Sequence, residues 1–141
     1  MFNWLGDEAF LFEDHNLTWN GHNWGVDPKK FETDAGLKDM FEVTAISYMP
    51  DGRQFTATVE SKKYPFFGTQ FHPEQAVLFY GHNNADHSWL SIKLNRHFAD
   101  YFVYLARHNT NSWGDFETTQ LDIVENAPAI VTKEGTWYVY K

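Results

Sequence analysis

Tyr64-Pro65-Phe66-Phe67-Gly68-Thr69-Gln70-Phe71-His72-Pro73-Glu74 passes from a proline turn through an apolar stretch into a polar His-Pro-Glu. Phe66 to Phe71 carry apolar side chains on both faces of an expected strand, the pattern of a central strand covered on both sides. In an open α/β sheet, ligands bind just outside the carboxyl ends of strands, so His72 and Glu74 stand where chemistry is expected. Pro73 keeps His72 out of the α region, and a chain that stays extended puts the His72 and Glu74 side chains on one side. A carboxylate in that position holds an imidazole in one tautomer, the orienting role beside a general base. Read from the pentapeptide alone, an ordinary surface or core histidine is the alternative.

Outward from this stretch the hydrophobic period changes twice. Phe41, Val43 and Ala45 alternate with Glu42 and Thr44, and Phe55, Ala57 and Val59 alternate with Gln54, Thr56, Thr58 and Glu60. That period of two is the half-buried strand pattern, and Met49-Pro50-Asp51-Gly52-Arg53 between the runs supplies turn chemistry, so a β-hairpin is predicted. Asp34 to Met40 reads as a short helical turn. A longer helix is predicted from Ser88, which can cap it, to Asn109. Its Leu94, Phe98, Tyr101, Phe102 and Leu105 recur at the spacing of one buried face, and Arg107 and His108 suit its C-terminal end. Met1 to Gly25 reads as short elements and loop. The tail reads as short strands, Leu121 to Val124 and Trp137 to Tyr140, around a loop at Pro128.

The 141 residues carry no internal repeat or linker and are read as one unit, 1–141. At 43% hydrophobic and 18% aromatic, the composition is that of a chain folding around a core. Eleven Lys and Arg against nineteen Asp and Glu leave a net charge of −8, the wrong sign for a phosphate backbone, so nucleic acid is not expected as a partner. No apolar run is long enough for a membrane span, and Met1 to Phe10 lacks the pattern of a signal peptide. With no Cys, disulfides, thiolate metal sites and a cysteine nucleophile within the chain are excluded. His82 and His87 flank Asn83 to Asp86, but neither they nor His97 and His108 show a third ligand at a metal-site offset. No metal or cofactor is expected.

The segment Tyr64 to Glu74 resembles the His-Pro-Glu segment of the gamma-glutamyl hydrolases, in the class I glutamine-amidotransferase-like superfamily. Asn20-Gly21-His22-Asn23-Trp24 is similar to that family's Asn-x-His-x-Trp stretch, and the Phe41 to Glu60 hairpin follows at similar spacing. Downstream, the Arg96 to Asn109 helix, Ile123 to Pro128 and Tyr138-Val139-Tyr140 also have counterparts. The resemblance implies an α/β sandwich, of which this chain is expected to be the C-terminal half, with a hairpin, a central strand ending at His72-Pro73-Glu74 and a long helix. It implies His72 as general base to a thiol, Glu74 as its orienting carboxylate and His22 as a substrate-binding histidine near the glutamyl group or tetrahedral intermediate. The implied substrate is a folylpoly-gamma-glutamate, cleaved at its gamma-glutamyl bonds, and the implied location is lysosomal, vacuolar or secreted.

The chain departs from the family in having no nucleophilic Cys, so alone it is expected to be inactive. Gln75 stands where a Lys is common, and Phe79-Tyr80 stands where an acidic-aromatic pair is common. The expected function is the C-terminal portion of such a hydrolase, completed by a half outside this chain. The alternative is a non-catalytic pseudoenzyme acting as a structural or protein-binding subunit, with a partner covering the exposed face of the half-domain. A glutamine-amidotransferase partner domain supplying ammonia to a synthase is a third possibility.

Overall fold

A computed structural model of the chain describes residues 1–81, 84–133 and 135–139. It is mixed α/β and gathers into two compact units, Met1–Arg107 and His108–Lys141.

The first unit is built on an antiparallel sheet of β1 (Phe41–Tyr48), β2 (Gln54–Ser61) and β3 (Phe67–Thr69), in that order. The hairpin is the one predicted, with Phe41 opposite Ser61 at its open end and Tyr48 opposite Gln54 at its turn. Gly52 takes φ +85° there, a conformation open to glycine. Asp51 fixes the turn by accepting from the Arg53 backbone N–H at 3.1 Å and from its Nε at 2.8 Å.

Two expectations about the sheet are corrected. Among the described residues β3 is an edge strand and β2 the central one. The two-faced apolar pattern of Phe66 to Phe71 has a different origin: Phe67 and Phe71 turn into an aromatic core, whereas Phe66 is 56% exposed. On β2 the threonines expected to face water are buried, Thr56 at 6% and Thr58 at 1% exposure. A β-branched residue packs well on a pleated surface, and the Thr58 hydroxyl is satisfied across the strands by that of Thr44 at 2.7 Å.

Before the sheet come two 3₁₀ turns, Phe2–Trp4 and Gly6–Phe10, and the short helices α1 (Leu11–Asp14), α2 (Lys30–Thr33) and α3 (Ala35–Met40). Asp34 caps α3 by accepting the Leu37 N–H at 3.0 Å. After the sheet come α4 (Pro73–Leu78) and α5 (Trp89–His108). Ser88 caps α5 as predicted, its Oγ accepting the Ser91 N–H at 3.2 Å. The buried residues of α5 are Ser91, Leu94, Asn95 and Phe98. The expected apolar stripe continues only in part: Tyr101 packs half-buried against the core, whereas Phe102 is 59% exposed.

Met1, Phe71 and Phe98 form the buried centre, with Phe2, Phe12, Phe67 and Tyr101 packed against it. Phe98 meets Phe71 edge-to-face at 5.2 Å and Phe2 at 5.8 Å between centroids. Such pairs add roughly 0.5–1.5 kcal/mol each beyond the area they bury. Burial pushes the Tyr101 phenol upward, and the nearby Glu60 charge acts in the same sense.

In the second unit Asp115 caps α6 (Phe116–Thr119), accepting the Thr118 N–H at 2.8 Å. The strand expected over Leu121 to Val124 is instead part of two 3₁₀ turns, Gln120–Asp122 and Val124–Asn126. A short apolar run does not by itself distinguish strand from helical turn, and here Leu121 and Val124 are largely exposed. The hairpin of this unit is β4 (Ala129–Thr132) with β5 (Gly135–Tyr138), and the expected Tyr140 end lies outside the described residues. No described helix is long and apolar enough to cross a membrane.

Candidate functional site

His72 sits where β3 gives way to α4. It takes an extended conformation, φ −102° and ψ 91°, as the residue capping α4, and Pro73 opens the helix. Proline suits that place because its φ is already helical and the N–H it lacks would have no partner. The expectation that the chain stays extended through Glu74 is therefore corrected, since Glu74 lies in the first turn of α4. The two side chains meet nonetheless. His72 Nδ1 and Glu74 Oε1 are 2.9 Å apart. A carboxylate oxygen can only accept, so Nδ1 carries the hydrogen of this bond and Nε2 is left for a reacting group. The pair is reachable from solvent, with side-chain exposures of 37% and 49%.

The loop after Leu17 brings the third predicted residue alongside. His22 stacks on His72 with centroids 4.6 Å apart and planes inclined by 13°. This juxtaposition arises from the path of the backbone. The His72 N–H donates to the Trp19 carbonyl at 2.9 Å. The indole of Trp19 lies 5.4 Å from the His72 ring, and its Nε1 donates to Asn84 Oδ1 at 3.0 Å. A Cβ on Gly21 would stand 2.2 Å from the Trp19 ring, so any side chain there would have to displace the indole. Trp19 is a contributor that spacing and composition do not reveal. Its one trace in the sequence is Gly21, two residues on.

His22 also lines a cavity of about 310 Å³ together with Asn20, Trp24, Tyr48, Phe55 and Gln70. The basic residues that could draw in an anionic substrate are mostly engaged elsewhere. Lys63 Nζ binds both carboxylate oxygens of Asp39, at 3.0 and 2.9 Å, and holds that carboxyl below its usual range. Lys62 Nζ donates to the Lys38 carbonyl at 2.6 Å, and Arg53 pairs with Asp51.

Two further histidines make contacts within the fold, away from the His22–His72 stack. His87 Nδ1 lies 3.0 Å from the Ala76 carbonyl, and its ring stacks on Tyr80. His97 Nε2 lies 3.1 Å from the Met1 carbonyl. His82 lies outside the described residues. Among the described residues no group of three or more His, Asp or Glu is placed to hold a metal ion.

Comparison with known proteins places the chain in a family. The model of the family "Glutamine amidotransferase class-I" matches residues 6–91, which include His22, the hairpin, His72 and Glu74. The chain is similar to Gamma-glutamyl hydrolase 2 of Arabidopsis thaliana, 32% identical over 95 residues, covering 67% of this chain and 27% of the relative. It is 36% identical over 99 residues to Gamma-glutamyl hydrolase of Homo sapiens, covering 67% of this chain and 30% of the relative. The match to Gamma-glutamyl hydrolase of Rattus norvegicus is longer, 28% over 132 residues, covering 91% of this chain and 41% of the relative. The chain thus spans well under half the length of these relatives. It belongs to the class I glutamine amidotransferase family, and the proteins it is similar to there are gamma-glutamyl hydrolases.

Proposed function

We propose that this chain supplies the base half of a gamma-glutamyl hydrolase site, with the thiol supplied by polypeptide outside these residues. The observation that carries the proposal is the 2.9 Å contact between His72 Nδ1 and Glu74 Oε1. It leaves Nε2 as the one ring nitrogen available to a nucleophile. In this reading Nε2 takes the proton of a cysteine thiol, and the thiolate attacks the carbonyl carbon of a gamma-glutamyl amide. The tetrahedral intermediate collapses with cleavage of the C–N bond, and Nε2–H returns the proton to the leaving nitrogen. Water then attacks the thioester, its proton passing to Nε2 as the carbon–sulfur bond breaks, and the thiolate is regenerated. Glu74 fixes the tautomer and stabilises the imidazolium formed at each step. His22, stacked on His72 and lining the neighbouring cavity, is placed to meet the glutamyl group or the intermediate.

The substrate proposed is a folylpoly-gamma-glutamate, following the resemblance and the names of the relatives. The net charge of −8 opposes the approach of a polyanion at long range. An acidic lysosomal, vacuolar or extracellular setting, in which carboxylates are partly protonated, reduces that opposition. Completion by further polypeptide also accounts for the exposed aromatics of the first unit, among them Trp24 at 87% and Trp89 at 78% exposure. The non-catalytic alternative needs the same covering but gives no role to the His72–Glu74 contact.

Co-expression of this chain with the cysteine-bearing region of a gamma-glutamyl hydrolase, assayed for glutamate release from pteroyl-di-gamma-glutamate, tests the proposal. The complex is expected to hydrolyse the substrate and the chain alone is not. A stable complex that releases no glutamate would favour the non-catalytic subunit.

A further inference from the structure

We infer that Ser91 and Asn95, on the buried face of α5, are positioning residues for the imidazole pair and act through the carbonyl of Leu17. That a change in ring geometry alters catalysis rests on the function proposed above. That these residues set the ring geometry does not.

A buried helix face is normally apolar, and Leu94 and Phe98 fit that pattern. Ser91 and Asn95, at 0% and 1% exposure, do not. Asn95 Nδ2 donates to the Leu17 carbonyl at 2.8 Å and to the Ser91 carbonyl at 2.9 Å. Ser91 Oγ donates to the same Leu17 carbonyl at 3.2 Å. These acceptors fix which end of the Asn95 amide is nitrogen, and they leave Oδ1 buried with no hydrogen-bond partner. Asparagine is a weaker helix former than leucine or alanine, and an apolar residue would leave no buried oxygen unsatisfied. Local stability therefore does not explain the residue. Its distinguishing action is to grip a carbonyl from another segment.

That segment leads directly to the site. Leu17 is 4% exposed, so its carbonyl is anchored at a fixed point in the core. Two residues on, Trp19 accepts the His72 N–H at 2.9 Å and lays its indole beside the His72 ring. After the close pass at Gly21, His22 reaches its stack on His72. The loop is thus tied to α5 at Leu17 and to His72 at Trp19. Releasing the first tie frees the stretch that sets the orientation of both imidazoles.

The test is the ring-proton and ring-nitrogen NMR spectrum of His22 and His72 in the full chain, for Asn95→Leu and for Leu94→Ala as a stability control. Leu94 is 0% exposed on the same helix turn, and its side chain has no donor for the loop. Asn95→Leu, which leaves only the longer Ser91 Oγ bond on the Leu17 carbonyl, is expected to reduce the mutual ring-current shifts of the two histidines while unfolding stays cooperative. Leu94→Ala is expected to lower the unfolding temperature and leave those shifts in place. Ser91→Ala is expected to move them partway, and it decides the question on the same terms if Asn95→Leu does not fold. Wild-type shifts in Asn95→Leu, or equal changes in Leu94→Ala, would overturn the inference. Altered shifts in a chain that gains no hydrolase activity on completion would count against the proposed function and not against this inference.

Discussion

If the proposed function holds, His72→Ala in the completed complex is expected to lower kcat for gamma-glutamyl hydrolysis by about 10²–10⁴-fold, the usual worth of a positioned general base. The expectation follows from geometry, because Nε2 is the ring nitrogen left after Glu74 takes Nδ1 at 2.9 Å. Substrate binding should change little, since in the proposed mechanism the imidazole acts on protons in flight and not on the bound ground state. Glu74→Gln should cost less. Its amide oxygen can still accept from Nδ1–H, so orientation survives while the charge facing the imidazolium is lost. Single-turnover acylation against overall turnover separates the two effects. A His72→Ala enzyme with wild-type kcat would remove His72 from the mechanism.

Phe98→Ala is the largest stability effect expected, a loss of about 3–5 kcal/mol for truncating a buried aromatic. Phe98 is 5% exposed and touches Phe71, Phe2 and Phe12 with centroids between 5.2 and 5.9 Å. These four rings join α5, the approach to His72 and the N-terminal turns, so one truncation loosens three segments. Against a typical total of roughly 5–15 kcal/mol, such a loss takes a large share of the stability. A drop in unfolding temperature of about 12–20 °C is expected, from about 4 °C per kcal/mol for a domain of this size. Thermal unfolding followed by circular dichroism reads it directly. A drop of only a few degrees would mean that the aromatic cluster is not the centre of the unit.

Residues whose structure depends on neighbours in sequence were legible, and those whose structure depends on distant ones were not. The β1–β2 hairpin follows from alternation and a Pro-Asp-Gly turn, and α5 follows from Ser88 and an apolar stripe. The nearness of His72 and Glu74 was also legible, although the first turn of α4 rather than an extended chain brings them together. That β3 is an edge strand and β2 central depends on which strands pair, which no local pattern records. Thr56 and Thr58 look like the polar half of an alternation until the cross-strand partner of Thr58 is known. The approach of His22 was expected only from the resemblance, because its cause lies in Trp19 and in the core bonds of Leu17. Leu121 to Val124 misled because four residues are too few to separate a period of two from one of three.

The central claim is that Glu74 holds His72 with its hydrogen on Nδ1 and leaves Nε2 free to carry a proton to and from a nucleophile. The most direct measurement is the ring ¹⁵N spectrum of His72 in the neutral imidazole form, with Glu74→Ala as its comparison. The account predicts that wild-type His72 is in the Nδ1–H tautomer and that this preference is lost in Glu74→Ala. A wild-type His72 carrying its hydrogen on Nε2, unchanged by Glu74→Ala, would contradict it.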